Sequence, residues 1–157
     1  MNRTKKLVYL SLMISQSLVL YIIESFLPPL SFIAPGAKLG LANIITLSVL
    51  YISGVRDAFV VLAMRILISS LFSGGVSSFI YSISGGMLSL LAMSATKKLS
   101  RFDISIVGVS VSGALFYNIG QLLAAAAIIR NIKILMYLPV LAYVSVGTGI
   151  FVGIVSK

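Results

Sequence analysis

Six apolar runs divide this chain, and each ends in a short polar or helix-breaking cluster. The first, Leu7 to Leu27, is long enough to cross a ~30 Å hydrocarbon core as a helix. Pro28-Pro29 closes it, and the stretch Pro35-Gly36-Ala37-Lys38-Leu39-Gly40-Leu41-Ala42-Asn43 follows. Pro fixes φ and Gly admits φ > 0, so the backbone leaves regular helix there. Irregular backbone at membrane level is tolerated only where protein buries it or where it lines a cavity. The second and third runs, 41–55 and 58–72, are short at roughly 22 Å each, with Arg56-Asp57 read as a tight turn between them. They are expected to be two short spans, with a re-entrant hairpin as the alternative. Ser73-Gly74-Gly75 turns into the fourth run, 76–96. The fifth covers 104–129 and the sixth 134–156. Pro139 lies inside the sixth, so 132–138 reads as an interfacial stretch and the span proper starts near Pro139.

The pattern predicts an all-α integral membrane protein: a single domain over 1–157 that forms a six-transmembrane-helix bundle. Composition agrees. The chain is 59% hydrophobic and 10% charged, with a mean hydropathy of +1.14, where soluble domains carry about 25% charged residues. Nothing resembles a cleavable signal, because the first run is too long and is followed by two prolines.

The net charge of +9 sits at segment ends, which is how a membrane protein sets its orientation, so nucleic acid is not an expected partner. With the N-terminus inside, Arg3, Lys5, Lys6, Arg56, Lys97, Lys98, Arg101 and Lys157 are cytoplasmic. Lys38, Arg130 and Lys133 are outside. This favours an N-in, C-in arrangement, with the Pro35–Asn43 loop facing outward.

Small and polar residues recur at helical spacing. Ser78, Ser82, Gly85 and Ser89 share one face of the fourth run; Ala114, Asn118, Gln121 and Ala125 share one of the fifth; Ser145, Gly149 and Gly153 share one of the sixth. Such faces let helix backbones approach closely in lipid. Asn118 and Gln121 are two amides near mid-span, which must pair across helices or meet a ligand. Ser11 and Ser15 form a small-xxx-small pair on the first run, read either as internal packing or as a docking face for another subunit.

Arg65 lies in the middle of the third run, where a charge costs at least ~2.5 kcal/mol on insertion scales. It is expected either to pair with Glu24, the acid at membrane depth, or to face an anionic group of a ligand. Lys38 is the cation placed to descend on a pocket from outside, and Asp57 is placed to cap the third helix. The chain has no His or Cys and three acids, Glu24, Asp57 and Asp103, spread far apart. Imidazole and thiolate catalysis, a metal site, and the acid clusters that hold Mg²⁺ on a diphosphate are therefore not available. No Walker A motif occurs. The chain is expected not to be an enzyme, and no cofactor is implied.

The block Pro35-Gly36-Ala37-Lys38-Leu39-Gly40-Leu41-Ala42-Asn43-Ile44 resembles the most recognisable motif of the small bacterial membrane family called heptaprenyl diphosphate synthase component I, also labelled the Gx transporter family. Further matching stretches are Asp57-Ala58 with Arg65, Ser73-Gly74, Tyr81-Ser82-Ile83-Ser84-Gly85-Gly86, Gly108-Val109-Ser110 with Gly113-Ala114, and Asn118-Ile119-Gly120-Gln121. Where the family has His before the Asn of the last motif, this chain has Tyr117. The family is similar to the substrate-binding S components of energy-coupling factor (ECF) transporters. The resemblance implies a bacterial plasma-membrane location and a pocket roofed by the loop between helices one and two. It also implies docking through Ser11 and Ser15 on a transmembrane coupling subunit, ATPase subunits as further partners, and a vitamin-like substrate such as a flavin. Lys38, Asn43, Arg65, Asn118 and Gln121 are the candidate polar contacts. Tyr81 and Tyr117 are candidates for stacking on an aromatic ligand or for plain core packing. The alternative is a non-catalytic accessory subunit in heptaprenyl diphosphate and menaquinone synthesis, and a third reading is a purely structural assembly subunit.

Overall fold

The computed structural model describes residues 3–26, 40–73, 75–99 and 104–157. Among them are six α-helices and no strand: α1 (Arg3–Phe26), α2 (Asn43–Ile52), α3 (Val55–Ser73), α4 (Val76–Leu99), α5 (Ile106–Ile129) and α6 (Leu138–Val155). A 3-10 helix, Ile132–Tyr137, leads into α6, and Pro139 sits in the first turn of α6, where its missing N–H costs nothing. Helix α6 proper thus starts beside Pro139, as expected, while the 3-10 lead-in forms one continuous 24-residue apolar stretch with it. Four helices are long and apolar enough to cross a membrane: α1, α4, α5, and α6 with its 3-10 lead-in. The protein is therefore an all-helical membrane protein.

The second and third runs differ from expectation. Helix α2 has ten residues, about 15 Å or half of the ~30 Å core, and does not fill 41–55. The turn lies at Ser53-Gly54, where Gly54 has φ +93°, rather than at Arg56-Asp57. Those two residues belong to the first turn of α3. There Asp57 meets the positive end of the helix dipole and pairs with Lys6 Nζ at 2.7 Å. At the same end of the bundle Lys97 Nζ donates to Leu50 O at 2.7 Å and stands 4.5 Å from the centre of the Tyr51 ring. The lysine thereby closes the C-terminus of α2, which carries partial negative charge. This end is called the lysine-rich end below.

Helices α4, α5 and α6 form the tightest part of the bundle. A Cβ added at Gly120 would lie 2.5 Å from Ser84 O, and one added at Gly149 would lie 2.6 Å from Val111 Cα. Backbones this close need glycine at the crossing. The small-residue stripes of all three helices are thus packing seams, with Ser82, Gly85, Ser89, Ser145, Gly149 and Gly153 all buried. The apolar core lies under α2, where Leu47, Val49 and Leu50 meet Ala58, Val61 and Leu62 of α3, Leu90 and Met93 of α4, and Val109 of α5. By contrast α1 is peripheral. Leu10, Ser17 and Glu24 are its buried positions, one every seven residues, so a narrow seam faces the bundle and the rest faces outward.

Candidate functional site

Helix α2 begins inside the bundle. Asn43, its first residue, places Nδ2 3.5 Å from Ser89 Oγ, halfway along α4. The chain enters α2 through Gly40, whose φ of +78° suits glycine. Gly40 O then accepts from Asn43 N and Leu41 O from Ile44 N. This turn points the Gly40 and Leu41 N–H groups the other way, toward α1. Glu24 meets them: Oε1 accepts from Gly40 N at 2.6 Å and Oε2 from Leu41 N at 3.1 Å. A carboxylate is stabilised at such a position by charge-assisted bonds and by the helix dipole.

Beside this carboxylate is a small polar cavity of about 10 Å³, lined by Tyr21, Glu24, Gly40, Ala42, Arg65, Ile66, Ser69, Ser82 and Tyr117. Four helices and the turn into α2 converge on it. Arg65 is 4% exposed, and its electrostatic neighbours are Tyr117, Glu24 and Tyr21. The expected Glu24–Arg65 ion pair is not what the geometry gives. The Glu24 carboxylate is engaged by backbone N–H groups, and the ion pair among the described residues is Lys6–Asp57. Arg65 forms no ion pair within 4.0 Å among those residues, although the Glu24 charge acts on it across the chamber. A buried guanidinium without a bonded anion is costly at membrane depth.

The sequence candidates separate into groups. Arg65 and Tyr117 share the chamber, and Asn43 stands at its edge: a Cβ on Gly40 would lie 3.2 Å from Asn43 Nδ2 and 3.6 Å from the Tyr117 ring. Asn43 Oδ1 is buried without a partner. Asn118 and Gln121 do not act as a pair. Asn118 Nδ2 donates to Ser145 Oγ at 2.7 Å, and Ser145 in turn donates to Leu141 O, tying α5 to α6. Gln121 faces α4, with its Cγ 3.0 Å from where a Gly85 Cβ would lie. The helical step of about 100° per residue puts positions three apart some 60° from one another, enough to send these amides to different neighbours. Tyr81 packs at the other side, on the cluster of Leu122, Ala125, Ile134 and Leu141. Core packing is therefore its observed role. Lys38 and the rest of 27–39 lie outside the described residues, as do Arg101 and Asp103.

Sequence reading missed Tyr21 and Ser69 as chamber residues, and it missed the backbone N–H groups that Glu24 accepts from, though Glu24 does act electrostatically on Arg65. The signal for Glu24 was present: an acid at membrane depth needs donors, and a glycine-containing turn entering a helix supplies N–H groups. Ser11 and Ser15 are exposed on the outer side of α1, with Ser15 Oγ donating to Ser11 O at 2.9 Å. They are not part of an internal seam.

An all-helical membrane bundle with a small buried chamber, lined by one guanidinium and one carboxylate, is the class this geometry defines. The chain belongs to the heptaprenyl diphosphate synthase component I family, whose model matches residues 13–157. Comparison with the curated proteins and with the solved structures gave no match.

Proposed function

We propose that the protein is a non-catalytic membrane component of a prenyl diphosphate synthase system, holding an anionic, apolar-tailed ligand at Arg65. The observation that carries this reading is the buried Arg65 guanidinium with no bonded anion among the described residues. A diphosphate head would satisfy that charge once the chamber, now about one water in size, widens to admit it, and a prenyl tail is at home among apolar helices. The family description supports the same ligand class and a partner synthase component. Bond making belongs to that partner, since the three acids of this chain are dispersed and cannot gather Mg²⁺ on a diphosphate. A bacterial plasma-membrane location with both termini cytoplasmic fits the concentration of cations at the lysine-rich end, with α2 reaching only about half-way across by itself. Affinity purification from membranes tests the reading. A soluble prenyl diphosphate synthase copurifies, and prenyl product length or yield changes when this chain is absent. Recovery of the chain without any synthase, and with unchanged prenyl products, refutes it.

A second reading, the S component of an ECF-type transporter, is favoured by the outward-facing Ser11 and Ser15 among exposed Leu7, Val8, Leu12 and Val19. Such a face is available to a neighbouring helix. On that reading the polar candidates Lys38, Asn43, Arg65, Asn118 and Gln121, with Tyr117, surround a small vitamin-like substrate. Replacing Ser11 and Ser15 by Leu then abolishes copurification of a membrane coupling subunit and its ATPases. On the first reading the same variant leaves the synthase bound.

A further inference from the structure

Helices α3 and α4 meet closely at Gly86, where a Cβ would lie 2.9 Å from Leu62 Cδ1. Nearer the lysine-rich end they leave an open groove of about 430 Å³ lined by Val55, Arg56, Phe59, Val60, Met87, Leu90, Leu91 and Ser94. This volume lies in the range of roughly 300–1,000 Å³ typical of small-ligand sites. Phe59, Val60, Met87 and Leu91 are all substantially exposed, so the groove opens sideways toward lipid. It is separate from the Arg65 chamber, with which it shares no lining residue.

Its two walls end in cations. Arg56 lines the groove itself and is exposed, with no hydrogen bond or ion pair among the described residues. On α4, Met87, Leu91, Ser94 and Lys98 follow i, i+4, i+7, i+11, so exposed Lys98 continues the groove face one turn past Ser94. The other charges nearby are occupied elsewhere: Asp57 is paired with Lys6, and Lys97 is on Leu50 O and Tyr51. From Met87 to Lys98 the helix rises about 16 Å, close to half of the ~30 Å hydrocarbon core. The groove itself covers about 10 Å of this rise, from Met87 to Ser94, and with Lys98 one turn beyond, the face from apolar floor to terminal cation is about one leaflet long.

We infer that this groove holds one acyl chain of an anionic phospholipid, with its phosphate between Arg56 and Lys98. Chain length, apolar lining and charge each match that occupant. A zwitterionic lipid carries its own cation to the same place and gains less. The inference does not depend on what binds at Arg65.

Native mass spectrometry of the detergent-purified chain tests it, with phosphatidylglycerol and phosphatidylcholine of identical acyl chains added at equal concentration. Two cations near an anionic headgroup predict retention of phosphatidylglycerol over phosphatidylcholine on the order of tenfold. Arg56→Gln with Lys98→Gln brings the ratio to about one. Both side chains are exposed, so the variant folds, which size-exclusion elution verifies. Leu91→Trp, which fills the groove, lowers retention of both lipids. Equal retention of the two lipids by the wild-type chain overturns the inference, as does an unchanged ratio in the double variant. A third arm adds geranylgeranyl diphosphate; its displacing phosphatidylglycerol at equal concentration, in a manner that depends on Arg56 and Lys98, also overturns the assignment to phospholipid.

Discussion

Replacing Gly120 by Ala tests the packing account at its tightest point. The new methyl would stand 2.5 Å from Ser84 O and 2.8 Å from Gly85 Cα. Both are backbone atoms of α4, so no side chain can swing aside. Ordinary contact needs 3.4 Å or more, and α4 and α5 must part locally by about 1 Å. Overpacking of a well-packed interior costs about 1–3 kcal/mol, and the backbone clash places this site toward the upper end. Ala returns ~0.8–1.0 kcal/mol of helix propensity over Gly. The net loss is about 1–2 kcal/mol. Gly147→Ala is the control: it lies on α6 with nothing within 4 Å of the added methyl, so only the propensity gain remains. The two variants should differ by about 2–3 kcal/mol in opposite directions from wild type. Reversible unfolding in mixed micelles, followed by circular dichroism as SDS is titrated in, measures both. If Gly120→Ala is as stable as Gly147→Ala, the close backbone approach of α4 and α5 is wrong.

Three further outcomes follow from the geometry. Glu24→Gln keeps the size of the side chain but replaces charge-assisted bonds to Gly40 and Leu41 by neutral ones, so stability falls by about 1–2 kcal/mol in the same unfolding assay; no loss would mean that the carboxylate does not hold the start of α2. A double-mutant cycle of Asn118→Leu and Ser145→Ala should give a coupling of about 0.6–1.7 kcal/mol, the range found for interhelical hydrogen bonds in membranes, and additivity of the two would deny the bond. Lys6→Met should cost no more than about 1 kcal/mol, because Lys6 is half-exposed, and that cost should shrink as ionic strength rises; a salt-independent loss would point to packing of the lysine stem instead.

Much of the fold was readable from the sequence because lipid imposes simple rules. Apolar length gives the helices α1, α4, α5 and α6, and small residues at helical spacing give the seams of α4, α5 and α6. The start of α6 was readable from Pro139. What was not readable is depth. Hydropathy marks 41–55 as apolar, but it cannot tell that helix starts only at Asn43, inside the bundle, because a buried turn held by Glu24 is as apolar in sequence as a helical one. The turn at Ser53-Gly54 was also misplaced onto Arg56-Asp57. Charged residues were taken as turn formers, whereas Gly54 at positive φ does the turning and Asp57 sits in the first turn of α3, paired with Lys6. At the site, Arg65 stood out by its cost alone. Its neighbours Tyr21 and Tyr117 come from two other helices whose rotation the spacing of residues does not reveal, whereas Ser69, four residues on in α3, was readable from spacing. The same rotation sends Asn118 to α6 and Gln121 toward α4, although they are one turn apart.

The central claim is that Arg65 is held buried for an anionic ligand. The most direct measurement is binding of farnesyl diphosphate and of farnesol, which share a tail and differ in charge, to the purified chain and to Arg65→Gln. The account predicts that the wild-type chain prefers the diphosphate by on the order of a hundredfold, since charge-assisted bonds to a buried guanidinium contribute about 1.5–3 kcal/mol each. It predicts that Arg65→Gln removes the preference without lowering thermal stability, because an unbonded buried charge is itself destabilising. Equal affinity for the two ligands in the wild-type chain, or a variant that keeps the preference but unfolds more easily, would contradict it.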